Sequence, residues 1–441
     1  MKNINGGGIM MPYSKQESSK KIFTYYLNNF NEIKTVSFGR YGIVLLLLLP
    51  ETIDSTIEDN FYKQMTPNQD YGKIVKSLLI KVQFVNNNYN VKLGDHEFSG
   101  VTQKQIQEEI NIQTDIFFKT LNYMQPLCPS IIYADIIQDF SEKQKILNLL
   151  RKAQNLPFPV ENNIIYNNDF GIIVMEMIHN SKNLFNYVDD KKENINKKKE
   201  YINKLNNSII DNVRQDSNFD EINNAMKTIN LDKNDIELAE NISRYALLKL
   251  ALDTGYGHND FHKGNILIQE DNTYFKNIDI STILIDFGRT TKLNLDILNT
   301  IKTKVQQKNY IGALAELCKP YNTKLVHTRT LNVNYYGWVC GDYDGQIRSK
   351  KLADSVNTVI DQLFEKRELA IDENIQTMSR LHDSEPNKYP LLPLSNEIKN
   401  TLYNGMIGGK GKGKGKRKKK IKRKTKKNKL SRRNKTNKRN K

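Results

Sequence analysis

The chain carries two short stretches that decide its fold, GYGHNDFHKGNILI at residues 255–268 and LIDFG at residues 284–288. The first stretch places Asp260 and Asn265 on a tight loop, because a helical pattern ends near its first glycine and an apolar, strand-like run follows. The second stretch places Asp286 at the end of the next apolar run. Two carboxylates and one amide therefore lie on loops beside two consecutive strands.

These side chains are the set that phosphoryl transfer needs. One carboxylate must face the attacking hydroxyl and accept its proton, while a second carboxylate and an amide oxygen hold Mg²⁺ against the nucleotide phosphates. Asp260 suits the first role. Asn265 and Asp286 suit the second role, because Mg²⁺ prefers hard oxygen ligands.

His258 and His262 offer a competing interpretation, an i, i+4 zinc pair. The metalloprotease pattern requires a glutamate directly after the first histidine, and this chain has Asn259 there. Gly257 and Gly264 also disfavour the helix that such a pair needs. The zinc interpretation is therefore the weaker one.

The segment HNDFHKGN at 258–265 resembles the catalytic loop of the protein-kinase-like superfamily, and DFG at 286–288 resembles its metal-binding motif. The resemblance implies that Asp260 is the catalytic base. It also implies that Asn265 and Asp286 are the metal ligands.

Two features depart from the ordinary protein-kinase pattern. By the resemblance His258 is the structural histidine of the loop, but His262 stands where protein kinases have a lysine, which is more similar to aminoglycoside and choline kinases. No Ala-Pro-Glu follows Gly288, so the usual platform for a protein substrate is missing or divergent. The acceptor stays open between a protein hydroxyl and a small-molecule hydroxyl.

The sequence TVSFGRYGIVLLLLLP at 35–50 predicts a hairpin, because two apolar runs flank a glycine-containing turn. A glycine hairpin by itself indicates only a turn. The resemblance implies that its loop covers the nucleotide phosphates. The residues of this hairpin predicted to contact the nucleotide are Ser37, Gly39, Gly42 and Val44.

Lys81 lies inside the apolar strand KSLLIKVQFV at 76–85, where a lysine is costly unless it is paired. The resemblance implies that Lys81 grips the nucleotide phosphates and that an acid on the following helix holds it. Glu108 and Glu109 both lie in that helix, predicted over 101–121. Glu109 is preferred because it leads into the apolar face.

The strand GIIVMEMI at 171–178 resembles the segment that enters the hinge between the two lobes of such a fold. The resemblance places backbone groups of Glu176 and Met177 against adenine. The predicted cofactors are therefore ATP and Mg²⁺.

The resemblance implies an α+β, bilobal protein-kinase-like fold with a strand-rich N-lobe, a mainly helical C-lobe and a disordered basic C-terminal tail. The predicted boundaries are an N-terminal extension at 1–35, an N-lobe at 36–178, a C-lobe at 179–400 and the tail at 408–441. The long spacing from Gly42 to Lys81 predicts an insertion at 51–74. A second insertion is placed at 181–236, and the highly charged stretch 191–204 within it is interpreted as a solvated helix face or as inserted sequence.

The composition of the 441 residues, 38% hydrophobic and 9% aromatic, is sufficient for a sizeable core and excludes a wholly disordered chain. The net charge of +18 comes from the C-terminal end of the chain. Residues 410–441 hold 20 of the 67 Lys and Arg and no acid, which leaves 47 basic against 49 acidic residues elsewhere. A tail at 408–441 without aromatic residues can neutralise the phosphates of nucleic acid or another polyanion, without reading sequence.

The three cysteines form no CxxC pair, which favours a reducing compartment. The longest apolar run, at 43–49, is far shorter than the ~20 residues of a membrane span. We therefore expect a soluble, intracellular protein with no membrane partner, while its oligomeric state stays open. Composition and style are similar to proteins of large DNA viruses, which would place it in the host cytoplasm or nucleus, or in the virion.

The sequence thus predicts an ATP- and Mg²⁺-dependent phosphotransferase, with Ser/Thr hydroxyls of proteins as the first choice of acceptor. One alternative is a small-molecule kinase of the aminoglycoside or choline kinase type. Another is a pseudokinase scaffold tethered to nucleic acid by its tail. The intact set of Lys81, Asp260, Asn265 and Asp286 argues against that scaffold.

Overall fold

The computed structural model describes residues 17–48, 77–86, 89–120, 126–178, 180–210, 216–270, 280–325 and 354–365. The predicted insertion at 51–74 and the predicted tail at 408–441 lie outside these ranges. The fold described below is that of the listed segments.

A five-stranded antiparallel sheet forms the N-terminal half, in the order β1-β2-β3-β7-β6. Its strands are β1 (Glu32–Gly39), β2 (Gly42–Leu48), β3 (Ser77–Val85), β6 (Ile131–Ile137) and β7 (Asp169–Glu176). The predicted hairpin is the β1–β2 pair, and Gly39 faces Gly42 across its two-residue turn. The predicted buried strand is β3, which pairs with both β2 and β7.

Alternation along the strands divides the sheet into two apolar faces. Ile80 and Val82 of β3 are fully buried in the larger core, which helices α1 (Glu17–Asn29) and α3 (Phe140–Lys152) cover. Burial of each such side chain stabilises the fold by about 1.5–3 kcal/mol. Lys81 lies between them in the sequence and so points to the opposite face.

Helix α2 (Gln103–Thr120) covers that opposite face. Ile106 and Ile110 of α2 pack there with Ile173 of β7, which is the cross-strand partner of Lys81. The periodicity of the strand and the periodicity of the helix thus direct the lysine of β3 toward the acids of α2.

The C-terminal half is mainly helical. Its longer elements are α5 (Leu184–Ile210), α6 (Asp216–Lys249), α7 (Leu295–Gln306), α8 (Tyr310–Leu325) and a helix over 354–365, and the short helix α4 (Ile164–Asn167) comes before them, just ahead of β7. Between α6 and α7 lie the two-residue strand β9 (Tyr256–Gly257) and the strands β10 (Ile266–Glu270) and β11 (Ile280–Leu284). Strands β10 and β11 form a three-stranded sheet with β8 (Ser181–Asn183). An antiparallel N-terminal sheet with a mainly helical C-terminal part confirms the strand-rich N-lobe and helical C-lobe of the predicted α+β fold class.

The charged stretch 191–204 was predicted to be a solvated helix face or an insertion. It lies in α5, where Ile195 and Ile202 pack against Ile229 of α6. Lys198 Nζ lies 2.7 Å from a carboxylate oxygen of Asp232. The stretch is therefore one side of an antiparallel helix pair with its own small core.

A second hairpin, β4 (Asn90–Leu93) with β5 (His96–Ser99), was not predicted. Its β5 strand is tied to the turn of the β1–β2 hairpin, since Ser99 N–H donates to the Arg40 carbonyl at 2.7 Å and Arg40 Nε donates to Ser99 Oγ at 2.9 Å. Phe38 of β1 meets the His96 ring edge-on at 5.0 Å. The β4–β5 hairpin thus supports the tip of the first hairpin from one side.

Candidate active site

Lys81 connects the two halves of the structure. Its Nζ lies 2.6 Å from Glu109 Oε1 and 3.0 Å from Asp286 Oδ1. The Glu109 side chain is 5% exposed, whereas the neighbouring Glu108 is 56% exposed and pairs with Lys104 on the helix surface at 3.7 Å. Of the two acids that the sequence left open, the structure brings Glu109 to Lys81.

The charges of this triad stabilise one another. Burial by itself lowers the pKa of Lys81, but the carboxylates of Glu109 and Asp286 outweigh burial and raise that pKa above its ordinary value. The charge of Lys81, opposed by burial, holds the pKa of Asp286 below its usual range. Lys81 is therefore a cation and Asp286 an anion at neutral pH.

Gln83 also positions Glu109, and sequence reasoning missed it. Gln83 Nε2 donates to Glu109 Oε2 at 3.3 Å from a buried position on β3. A Cβ on Gly288 would be in ordinary van der Waals contact with Glu109 Oε2, at 3.4 Å. The strand alternation that places Lys81 on this face also places Gln83 there, which was the available signal.

The loop that carries Asp260 is built around a buried histidine. His258 Nε2 donates to the Ile285 carbonyl at 3.0 Å, and Nδ1 accepts from the Asp260 N–H at 3.3 Å. Its own carbonyl accepts from Thr290 Oγ1 at 3.0 Å. His258 thus ties the loop to the end of β11 and to the segment after Gly288.

Asn265 holds the loop from its other end. Its Nδ2 donates to the Asp260 carbonyl at 3.0 Å, which leaves the amide oxygen as the group that can take a cation. The backbone is in the left-handed region at Asn259 and Asp286, with φ of 64° and 62°. Such conformations cost free energy in non-glycine residues and concentrate at functional sites.

The side chains of His262 and Lys263 contact the loop backbone and helix α6. His262 Nδ1 accepts from the Gly264 N–H at 3.1 Å, so one ring nitrogen is turned to the backbone. Lys263 Nζ is paired with the Glu240 carboxylate of α6. A cation from the segment after Gly288 also contacts Asp260, since Arg289 Nη1 lies 3.3 Å from Asp260 Oδ1.

The hairpin residues predicted to contact a nucleotide lie on the two strands, Ser37 and Gly39 on β1 and Gly42 and Val44 on β2. Ser37 pairs with Val44 next to a β-bulge, and Val44 pairs with Lys81 on the neighbouring strand. A Cβ on Gly42 would lie 2.4 Å from the Val82 carbonyl oxygen, so strand packing alone requires glycine there. A Cβ on Gly39 would meet nothing within 4 Å.

Glu176 ends β7, and Met177 follows it. The Glu176 N–H donates to the Ser130 carbonyl at 3.2 Å, and Glu176 Oε1 accepts from the Ser130 N–H at 2.8 Å. The N–H of Glu176 therefore already donates a hydrogen bond to a protein carbonyl. Adenine recognition by backbone groups of Glu176 and Met177 stays a prediction.

The side chains of Asp286 and Asn265 fit Mg²⁺ by their chemistry. Asp286 offers a carboxylate that is 45% exposed and held by Lys81 through Oδ1, and Asn265 offers an amide oxygen. Two protein oxygens suffice for Mg²⁺, which keeps several waters and binds substrate phosphates. Within the described segments no cluster of three or more His, Cys, Asp or Glu side chains offers a different metal site.

Comparison with known proteins gives no sequence family, since no protein-family model and no curated protein match the chain. Among solved structures, WaaP in complex with acyl carrier protein matches with 10% identity and a TM-score of 0.27. The ROP18 kinase domain in complex with AMP-PNP and sucrose matches with 11% identity and a TM-score of 0.28. Each match covers 81% of this chain and 94% of the other.

The geometry of the described segments agrees with the protein-kinase-like fold that the sequence predicts. The N-terminal sheet has the order β1-β2-β3-β7-β6, and Lys81 of β3 contacts Glu109 of the helix α2 that covers this sheet. The same lysine meets the aspartate that precedes Phe287, which is fully buried beside His258. Within the described segments, no helix combines the length and the apolar character that a bilayer crossing requires.

His258 predicts how stability depends on pH. Burial lowers its pKa to about 4, whereas an unfolded histidine titrates near 6.5, so only the unfolded state binds the proton between these values. The free energy of unfolding must therefore fall as the pH drops through this window, by about 2 kcal/mol between pH 7.5 and pH 5. Urea denaturation at both pH values should show this loss.

A His258→Gln variant provides the matching control for that prediction. Its stability is lower at every pH because the bond to Ile285 is disturbed, but the part of the pH dependence that belongs to the imidazole should be absent. Equal pH dependence in the two proteins would show that His258 does not titrate as described.

Proposed function

We propose that this protein is an ATP- and Mg²⁺-dependent phosphotransferase that acts on a hydroxyl group. The observation that supports the proposal best is the contact of Lys81 with Glu109 at 2.6 Å and with Asp286 at 3.0 Å. This contact joins a strand, a helix and a loop that are far apart in sequence. A buried ion pair is a costly way to stabilise a fold, so the arrangement favours a functional role.

The proposed roles follow from charge and position. Lys81, held by Glu109, binds the α- and β-phosphates of the nucleotide, and Asp286 with Asn265 holds Mg²⁺. Asp260 accepts the proton of the acceptor hydroxyl. When bound, ATP supplies the phosphoryl group: the acceptor oxygen forms the new bond to phosphorus, the β–γ anhydride bond breaks, and its electron pair leaves on ADP.

A Ser or Thr hydroxyl of a protein is the first choice of acceptor, and a small-molecule hydroxyl is the second. The second choice is favoured by His262, which stands at a position where ordinary protein kinases have a lysine. Its Nδ1 accepts a hydrogen bond from the Gly264 N–H. The sequence after Gly288 also lacks Ala-Pro-Glu.

A labelled-ATP assay on the full chain with Mg²⁺ tests the proposed function. The acceptors are a mixed protein extract and a pool of small metabolites, and Asp286→Ala is the inactive control. We expect label in protein that disappears with Asp286→Ala, because that variant loses a metal ligand. Label in a small molecule would identify a metabolite kinase, and bound ATP without any transfer would contradict phosphotransfer and favour the scaffold.

A further inference from the structure

Arg289 forms an ion pair with Asp260, the carboxylate that acts as the catalytic base in the proposed function. It is the residue directly after Asp286-Phe287-Gly288, and its Nη1 is 3.3 Å from Asp260 Oδ1. The Arg289 side chain is 50% exposed and that of Asp260 is 18% exposed. The ion pair thus lies at the open side of the site, where an acceptor would enter.

The same guanidinium also reaches the hairpin that is predicted to cover the phosphates. Arg289 Cζ lies 6.0 Å from the ring centroid of Tyr41, within the range of a cation–π contact. Tyr41 is one of the two turn residues between β1 and β2. Arg289 therefore lies between the tip of that hairpin and Asp260, which is the place where a phosphoryl group would pass from nucleotide to acceptor.

The nearby lysines are committed elsewhere. Lys81 is paired with Glu109 and Asp286, and Lys263 of the loop at 258–265 is paired with Glu240. The proposed function uses Lys81 for the α- and β-phosphates, whereas the guanidinium of Arg289 lies against Asp260.

We propose that Arg289 is a catalytic residue that binds the transferred phosphoryl group beside Asp260. This inference rests on the proposed function. The planar guanidinium presents several N–H donors in a fork, so it can contact a carboxylate and a phosphoryl oxygen at the same time. Positive charge fixed at the oxygens of the transferred group stabilises the transition state, while the acceptor proton still goes to Asp260.

A transition-state analogue gives a test that does not need the acceptor. Calorimetry on the full chain compares binding of Mg²⁺·ADP with binding of Mg²⁺·ADP plus aluminium fluoride, which mimics the transferred phosphoryl group. Aluminium fluoride should tighten binding to the unmodified protein. In Arg289→Ala at least tenfold of this tightening should be lost, while the affinity for Mg²⁺·ADP alone changes by less than about threefold. Arg289→Lys should be intermediate, because it keeps the charge without the fork.

Lys292→Ala is the matched control, since it removes one positive charge from the same segment at an exposed position. It should keep the full tightening. Arg289→Ala with undiminished tightening would overturn the inference.

A second readout separates this inference from the proposed function. In ATP turnover with water or the identified acceptor, Arg289→Ala should be slower by about 10²- to 10³-fold, and added guanidinium ion should restore part of the rate. An active unmodified protein with an equally active or faster Arg289→Ala variant would overturn the role of Arg289 alone. An unmodified protein with neither turnover nor tightening would overturn the proposed function and this inference with it.

Discussion

An Asp260→Asn variant is expected to lose about 10³-fold in the rate of phosphotransfer while its affinity for Mg²⁺·ADP stays within about threefold. The asparagine has nearly the same shape but cannot accept the proton of the acceptor hydroxyl, and general-base catalysis contributes 10²- to 10⁴-fold. The contacts that shape the loop use the Asp260 backbone: its N–H meets His258 and its carbonyl meets Asn265. The loop should therefore keep its conformation.

Single-turnover transfer of labelled phosphate, together with calorimetry of nucleotide binding, measures both parts of this expectation. Asp296→Asn makes the same chemical change on the exposed first turn of α7 and should leave transfer unchanged. An Asp260→Asn variant with full activity would rule out Asp260 as the base.

A Lys81→Met variant is expected to lose both activity and stability. Removal of the ammonium leaves the Glu109 carboxylate, which is 5% exposed, without an opposite charge. An uncompensated buried charge of this kind costs about 3 kcal/mol or more. Phosphotransfer should fall at least about 100-fold, because the nucleotide phosphates lose their fixed cation.

The double variant Lys81→Met/Glu109→Gln separates these two effects. It removes both buried charges, so the free energy of unfolding in urea should recover most of what Lys81→Met loses, while activity should not recover. Glu108→Gln is the control on the neighbouring acid and should change stability by less than about 0.5 kcal/mol, because Glu108 is exposed. If the double variant is as unstable as Lys81→Met, the stability lost in Lys81→Met does not come from an uncompensated charge on Glu109.

Much of the arrangement could be predicted from the sequence because its parts are local. The loop at 258–265 and the motif at 286–288 are continuous in the chain, and a lysine inside an apolar strand is visible as an anomaly. Their resemblance to the motifs of the protein-kinase-like superfamily, in the same order along the chain, implied the fold class. The choice between Glu108 and Glu109 rested on helix periodicity, and the structure brings Glu109 to Lys81.

Other features depend on tertiary contacts that no local pattern encodes. The approach of Arg289 to Asp260 and Tyr41 joins three separate segments. The Glu176 N–H is taken by Ser130 because β6 and β7 meet in this register. The β4–β5 hairpin did leave a signal, since apolar residues alternate around an Asp- and Gly-containing turn, but its strands are only four residues long.

The long sequence separation inside the triad has a consequence for synthesis. Lys81 and Asp286 are 205 residues apart, so at translation rates of about 5–20 residues per second the ribosome needs roughly 10–40 s to add the second partner after the first. During that interval Lys81 has Glu109 but not Asp286. The proposed catalytic centre is thus completed late in biosynthesis, and until then Glu109 alone balances the charge of Lys81.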